Sequence, residues 1–354
     1  MKNYIIKRLL LIPVTLFGIL LINFAVIQLA PGGPVEYMLA QYKGLDTSAT
    51  GNINSGTPNL NSEKYQGSKG VPEDLVKELE KQFGFDKPAH ERFTKMLKDY
   101  LTFNLGKSFY KNKTVTELIK ERMPVSISLG LWSTLLIYLI AIPLGIKKAK
   151  RDGENFDVIT STIIFIGSAI PVFLFAVILI VLFAGGTYLQ IFPLKGLTSD
   201  GWETFSFWHK ITDYFWHITL PTICIVIGGV ASLTMLTKNS FMDELSKQYV
   251  LTARAKGLSE KYILYHHVFR NAMMIIIAGL PALLIKILFT GSLLIEIIFS
   301  LNGMGLLGYE AIMTRDYPVV FGTLYIFALL GLVLKLISDL TYSWVDPRVN
   351  FDKI

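Results

Sequence analysis

The stretch VSISLGLWSTLLIYLIAIPLGI, residues 125–146, decides the fold class of this chain. At a rise of about 1.5 Å per residue, a helix of this length spans the ~30 Å hydrocarbon core of a bilayer. A backbone in lipid must satisfy its own hydrogen bonds, so an apolar run of this length is expected to be helical. The stretch therefore predicts a transmembrane helix.

Five further apolar runs occur: roughly Leu9–Leu29, Val158–Phe183, Ile218–Thr237, Ala272–Leu294 and Val319–Tyr342. The chain of 354 residues is 52% hydrophobic and 17% charged, which is more apolar than a soluble domain. We predict an all-α polytopic membrane protein with six transmembrane helices. The first run could instead be a cleaved signal peptide, but it exceeds the usual ~7–15 apolar residues, and Pro31 stands at the cleavage position. Kinks or helix ends are expected at Pro143, Pro171, Pro221 and Pro281.

Lysines and arginines beside the runs predict the orientation of the chain. The amino end and the loops 147–151 and 238–270 are basic, whereas the loops 185–216 and 300–318 carry few cations. The positive-inside rule then places both termini in the cytoplasm. The net charge of +7 is therefore assigned to orientation beside membrane lipid, and no nucleic-acid partner is expected.

The predicted organisation has four parts: residues 1–30 (amino end and first span), 31–124 (extracytoplasmic segment), 125–343 (five-helix transmembrane core with the loop 239–271) and 344–354 (cytoplasmic tail). Within the outer segment, residues 42–70 are rich in Gly, Ser, Asn and Thr and predict a flexible insert. Amphipathic stretches over 72–85 and 90–103 predict a small helical cap on the outer membrane face. This cap could also dock an outside partner.

The polar passage QYVLTARAKGLSEKYILYHHVFRNA, residues 248–272, is longer than a turn between two spans requires. Asn239 or Ser240 is expected to begin a helix, and Gly257 is expected to end it because glycine adopts the left-handed conformation without steric cost. Ser259 is expected to cap a second helix. This unit could enter a groove on a partner or lie flat on the inner leaflet, and the residues alone leave both interpretations open.

The segment TARAKGLSE, residues 252–260, resembles the cytoplasmic loop of ABC-transporter permeases in the branch that imports dipeptides and oligopeptides. The general family pattern is Glu-Ala-Ala, three residues and Gly, of which only Ala253 and Gly257 match, as in the relaxed form of that branch. Similar pieces follow the family order in LAPGGPVE (29–36), GFDKPAHERF (84–93), FNLGKSF (103–109), RMPVSISLG (122–130), FSLNGMGLLGYEAIMTRDYPVV (299–320) and DPRVN (346–350). The amino-terminal arrangement resembles the first, B-type, of two permease subunits.

The resemblance implies that the loop is a coupling helix that fits into a cleft of an ATP-hydrolysing subunit. The implied coupling residues are Tyr249, Ala253, Arg254, Ala255, Lys256, Gly257, Leu258 and Ser259. The implied partners are a second homologous permease, two ATP-binding cassette ATPases and an extracytoplasmic substrate-binding protein at the bacterial cytoplasmic membrane. The implied cargo is oligopeptides or dipeptides. Nickel chelate, glutathione, an antimicrobial peptide and a non-transporting scaffold role remain alternatives.

No phosphate-binding loop and no His-Glu-x-x-His motif occurs in the sequence. We therefore predict a transport subunit that is not an enzyme and binds no cofactor, with ATP used by its partners. Lys286 lies nearest mid-span and is the candidate for the translocation path, with a contact to the partner permease as the alternative. Glu296 is expected to snorkel at the outer end of the fifth span. Lys335 and Asp339 are expected to pair on one helix face.

Overall fold

The computed structural model describes residues 2–29, 35, 77, 80–81, 86–184, 188–289 and 293–345. These residues fall into two compact units. The larger unit lies within residues 1–5, 123–305 and 333–354, and the smaller unit lies within 6–122 and 306–332. The predictions for the insert 42–70, for most of the stretch 72–85 and for residues 346–354 lie outside the described residues.

Helices make up nearly all of the described secondary structure. In chain order they are α1 (Lys2–Leu29), α2 (Ala89–Leu101), α3 (Val115–Lys150), α4 (Asn155–Ala169), α5 (Val172–Phe183), α6 (Phe207–Leu245), α7 (Gln248–Ala255), α8 (Phe269–Phe289), α9 (Leu293–Ile298), α10 (Met304–Thr314) and α11 (Tyr317–Val345). Among the described residues, five helices are long and apolar enough to cross a membrane, and the bent pair α4–α5 makes a sixth if it counts as one span. The predicted all-α polytopic fold is confirmed.

The third predicted span is broken at Pro171. α4 ends at Ala169, α5 begins at Val172, and the two helices are bent by 90°. Proline cannot donate a backbone hydrogen bond and disfavours the helical conformation in the residue before it. Ile170 is accordingly extended, with φ −76° and ψ 123°. The helix end or kink expected at Pro171 is therefore confirmed, and the run Val158–Phe183 consists of two helices.

The fourth predicted span continues as α6 well beyond its expected end. α6 reaches Leu245, so no helix begins at Asn239 or Ser240, and that prediction is wrong. The Ser240 hydroxyl donates to the carbonyl of Ala272 at 2.7 Å. Because this hydroxyl bonds to the neighbouring helix α8, it is not available as a helix cap.

Two apolar clusters form the core of the larger unit. One joins α3 and α6 to α7 and α8, and the other joins α3, α5 and α6 to α9. α3 and α6 also approach closely at Gly145, where an added Cβ would lie 2.5 Å from the Cβ of Thr237. Such close approach through small residues is typical of helix packing in membranes.

The smaller unit contains α2, which confirms the amphipathic helix expected over 90–103. The rings of Tyr100 and Tyr325 lie 5.1 Å apart and pack edge to face. Asp316 accepts hydrogen bonds from the Ser108 hydroxyl at 2.5 Å and from the Phe109 amide at 3.1 Å. These contacts tie the loop after α2 to the loop that precedes α11.

Candidate functional site

The loop between α6 and α8 contains α7, a tight turn and a second helical segment. α7 ends in a Schellman motif, in which the Gly257 amide donates to the Arg254 carbonyl at 2.9 Å and the Leu258 amide donates to the Ala253 carbonyl at 3.3 Å. Gly257 has a φ of +79°, in the left-handed region that glycine adopts most easily. The predicted helix stop at Gly257 is confirmed.

The second segment begins at Ser259 and leads into the fifth span. The Ser259 hydroxyl accepts a hydrogen bond from the Tyr262 amide at 3.4 Å, which confirms the predicted cap. A short helical turn, Glu260–Tyr262, is followed by the π-helical segment Ile263–Val268 and then directly by α8. This continuity means that a displacement of the turn can be passed along α8.

An ion pair connects the two sides of the turn. Arg254 donates from Nε to Oε1 of Glu260 at 2.7 Å and from Nη2 to Oε2 at 3.1 Å. The side chains are 42% and 61% exposed, so the pair adds at most about 1 kcal/mol to folding stability. Its two-point geometry nevertheless restricts the angle between α7 and the segment that follows.

The inner face of α7 packs on the core of the larger unit. Val250 and Ala253 are 0% and 7% exposed. They belong to the same apolar cluster as Ile146 and Ala149 of α3 and Phe241 of α6. α7 is therefore fixed directly to the neighbouring ends of two long helices.

Tyr249 strengthens this attachment. Its hydroxyl donates to Oε2 of Glu244 at 2.7 Å and accepts from Nδ2 of Asn271 at 3.4 Å. Burial, together with the neighbouring Glu244 carboxylate, raises the pKa of Tyr249 to about 12. The hydroxyl therefore stays protonated as a donor. Tyr249 and Ala253, two of the predicted coupling residues, thus hold α7 against the core.

The other six predicted coupling residues are exposed in this chain. They are Arg254, Ala255, Lys256, Gly257, Leu258 and Ser259. Two leucines in this part of the loop are also exposed, Leu251 in α7 by 51% and Leu258 in the turn by 38%. An exposed helix end with small residues, two cations and two leucines has the composition of a surface that can enter a groove on a protein partner.

The other polar residues predicted within or near the spans lie in different surroundings. Lys286 lies in α8, but its side chain is outside the described residues, so its role stays a prediction. Glu296 is 0% exposed, and its Oε1 lies 3.4 Å from the Ser126 hydroxyl. The expectation that Glu296 snorkels is wrong because α9 packs it against α3. Lys335 and Asp339 form the predicted pair, with 3.5 Å between Nζ and Oδ1.

Sequence reasoning missed a buried pair at the ends of α3 and α4. Lys148 lies in the basic run 147–151, whose charge predicts orientation in the membrane, yet it is 0% exposed and pairs with Asp157. One signal was available, since Asp157 immediately precedes the apolar run that begins at Val158. An acid at that position needs a nearby cation or water.

The long apolar helices define a multi-pass membrane protein. A family model described as "Binding-protein-dependent transport system inner membrane component" matches residues 141–351. The chain belongs to this family. It is a transport component, not an enzyme.

Relatives that match along nearly the whole chain agree with this family. The "Inner membrane ABC transporter permease protein YejB" of Escherichia coli O157:H7 is 55% identical over 99% of this chain and 100% of its own length. The "Peptidoglycan transport system permease protein YejB" of Agrobacterium fabrum is 54% identical over 100% and 99%. The "Oligopeptide transport system permease protein AppB" of Bacillus subtilis is 32% identical over 99% and 100%. The resemblance to permeases of the peptide-importing branch is confirmed.

Proposed function

We propose that this chain is the first of two permease subunits in an ATP-driven importer of peptides. It lines a translocation path together with a second, homologous permease. Two ATPase subunits bind the exposed turn and its symmetric counterpart, and an extracytoplasmic binding protein delivers the cargo. The chain itself binds no cofactor, and both of its termini lie in the cytoplasm.

The exposed turn around Gly257 carries this proposal. Its inner face is anchored by Val250 and Ala253, while its outer face offers Arg254, Lys256 and Leu258 to a partner. A loop lying flat on lipid needs neither a Schellman turn nor an ion pair that restricts its angle. A docked lever needs both, because force applied at its tip must reach the spans without bending the loop.

Transport then follows alternating access. ATP binding brings the two ATPases together, and α7 moves with them as a rigid element. α6 and α8 leave the two ends of the loop, so the movement reaches both spans. The shift between states is driven by the difference in the binding free energy of the ATPases for each state. Lys286, within α8, is our proposed contact along the path.

The substrate class is peptidic. Two of the relatives are named for the transport of peptidoglycan and of oligopeptides. Both names favour peptides or peptide-bearing cell-wall fragments over nickel chelate or glutathione. Peptide length is decided largely by the binding protein, so the ligand must be identified on that partner.

Affinity purification of the tagged chain from native membranes in mild detergent tests the proposal. We expect a second six-span permease and one or two phosphate-loop ATPases in fixed ratio, identified by mass spectrometry. A chain that is recovered alone, while other membrane complexes survive the same detergent, would support the scaffold alternative. ATP-dependent peptide uptake into vesicles with the purified complex would then separate transport from scaffolding.

A matched pair of variants locates the ATPase contact. Leu251→Asp is expected to reduce recovery of the ATPases and to leave recovery of the second permease unchanged. Leu194→Asp is the control, because Leu194 is 50% exposed against 51% for Leu251 but lies in the loop between α5 and α6. Equal ATPase recovery with both variants would place the contact elsewhere.

A further inference from the structure

Four charged side chains form a cluster where α3, α4 and α6 meet. Lys148 Nζ lies 2.9 Å from Oδ1 of Asp157, and Lys238 Nζ lies 2.7 Å from Oδ2 of the same carboxylate. Lys238 also lies 2.7 Å from Oδ1 of Asp152. Lys148, Asp157 and Lys238 are 0%, 5% and 9% exposed, while the side chain of Asp152 at the rim is 48% exposed.

The buried ammonium of Lys148 has a complete set of acceptors. Its three N–H groups donate to the Asp157 carbonyl at 2.9 Å, the Thr160 hydroxyl at 2.9 Å and the Ser161 hydroxyl at 2.7 Å. The Asp157 carboxylate lies beside the ammonium as its counter-ion. The Gly153 amide donates to Oδ2 of Asp157 at 3.2 Å. Buried charges persist when they are paired and hydrogen bonded in this way. The cluster is therefore a buried, hydrogen-bonded ionic contact between three helices.

A role in orientation alone does not account for this burial. Cations that orient a membrane protein, or that contact lipid phosphates, do so from the surface. Lys147 and Lys150, on either side of Lys148, are exposed and fit that role. Helix packing in membranes is also achieved without ions, through small residues such as Gly145. The cluster connects helices that already touch.

The position of the cluster relative to α7 suggests its purpose. Lys148 lies between Ile146 and Ala149, which share an apolar cluster with Val250 and Ala253 of α7. Lys238 lies one turn before Phe241, which belongs to the same cluster. The helix segments that hold α7 are thus the segments that the ions tie to α4.

We propose that this ion cluster joins the adjoining ends of α3, α4 and α6 into one rigid block through which movement of α7 reaches the spans. The cluster residues act as positioning residues for energy coupling and do not touch substrate. This inference rests on the proposed function, in which α7 receives its movement from an ATPase. A loosened block would let α7 move without moving the spans.

The test uses the complete complex, purified with its ATPases and reconstituted in vesicles. Lys238→Met and Asp157→Asn each remove one charge from the cluster, and Lys238→Arg retains it. The readout is ATP hydrolysis per assembled complex, with and without peptide-loaded binding protein. We expect the ratio of the two rates to fall to about one in both charge-removing variants, meaning no coupling. The unstimulated rate should be retained, and Lys238→Arg should keep the wild-type ratio.

The control is Asp339→Asn, which breaks the Lys335 pair in α11 and should leave the ratio unchanged. A structural role alone would lower the yield and melting temperature of the complex but leave the ratio per complex intact. A wild-type ratio in assembled Lys238→Met and Asp157→Asn would overturn the inference. If neither variant assembles, the test uses Asp152→Asn, at the exposed rim of the cluster. We expect this variant to lower the ratio of stimulated to unstimulated hydrolysis part of the way toward one. A wild-type ratio there would overturn the inference.

Failure of the proposed function is visible before any variant is measured. It would appear as a wild-type chain that recovers no ATPase or shows no hydrolysis stimulated by the binding protein. If the binding protein stimulates ATP hydrolysis equally in the wild-type complex and in the cluster variants, only the rigid block is rejected.

Discussion

Arg254 and Glu260 face each other across Gly257 and are joined by two hydrogen bonds of 2.7 and 3.1 Å. One side chain belongs to α7, and the other belongs to the segment that continues into α8. The angle of the turn is therefore set by a side-chain pair as well as by the left-handed glycine. These two determinants can be perturbed separately.

Replacement of Gly257 by Val tests the backbone of the turn. An added Cβ would meet no atom within 4 Å, so the effect comes from the φ of +79° and not from a clash. We expect a loss of about 1–2 kcal/mol of stability. The chain should still insert, while ATP hydrolysis stimulated by the binding protein falls sharply in the assembled complex.

Gly201→Val is the matched control for that substitution. Gly201 has a φ of +77° and its nearest neighbour to an added Cβ is the Thr204 hydroxyl at 3.9 Å. It lies in the loop between α5 and α6, so it should strain the backbone equally and leave stimulation intact. Unchanged stimulation in the Gly257 variant would reject α7 as the coupling element.

Charge exchange tests the side-chain pair of the turn. Arg254→Glu and Glu260→Arg should each reduce stimulated hydrolysis, because like charges then face each other across the turn. Melting temperatures should change little, since exposed pairs contribute less than about 1 kcal/mol. The double exchange should recover much of the stimulation in a double-mutant cycle. No recovery would mean that Arg254 acts by contacting the ATPase and not by holding Glu260.

Gly303 lies against the buried carboxylate of Glu296, and an added Cβ would overlap that group. Gly303→Ala is expected to lower stability by about 1–3 kcal/mol, the usual range for overpacking. Thermal unfolding in detergent measures this loss. Gly308→Ala, within α10, is the control because nothing lies within 4 Å of its added Cβ. Equal melting temperatures for the two variants would contradict this packing.

The crossing of α3 and α6 is tested at Gly145. An added Cβ would lie 2.5 Å from the Thr237 Cβ and 2.8 Å from the Thr234 carbonyl oxygen. Gly145→Ala should therefore cost about 1–3 kcal/mol. Adding Thr237→Gly removes both the Cβ and the Cγ2 of Thr237 and leaves only the collision with the Thr234 carbonyl oxygen. Relative to Thr237→Gly alone, the double variant should therefore show a smaller loss only if the helices cross here. Additive losses in the double variant would place the crossing elsewhere.

Asp316 gives the smaller unit a pH dependence. Burial raises the pKa of Asp316 above its usual range, although hydrogen bonds from Ser108 and Phe109 lower it in part. The folded chain therefore holds this proton more tightly than the unfolded chain, and stability is lost as pH rises through the raised pKa. We expect the melting temperature of wild type to fall relative to Asp316→Asn over that interval. A constant difference across pH would show that the pKa is not raised.

The sequence by itself determined the features that depend on neighbours along the chain. The apolar runs predict the spans, because length and composition alone decide whether a helix suits a bilayer. Gly257 ends α7 and Ser259 caps the next segment, because both effects act within one helical turn. Lys335 and Asp339 pair because residues four apart share a helix face. The family pattern around Gly257 also located the exposed turn.

Only the tertiary structure decided which polar side chains face another helix. Lys148 is buried while Lys147 and Lys150 are exposed, although all three belong to one basic run. Glu296 is buried beside Ser126 of α3, and the Ser240 hydroxyl bonds to Ala272 instead of capping a helix. The partners of these groups lie 9 to 170 residues away in the chain. Local periodicity carries no information about such contacts, because they arise only when the helices pack.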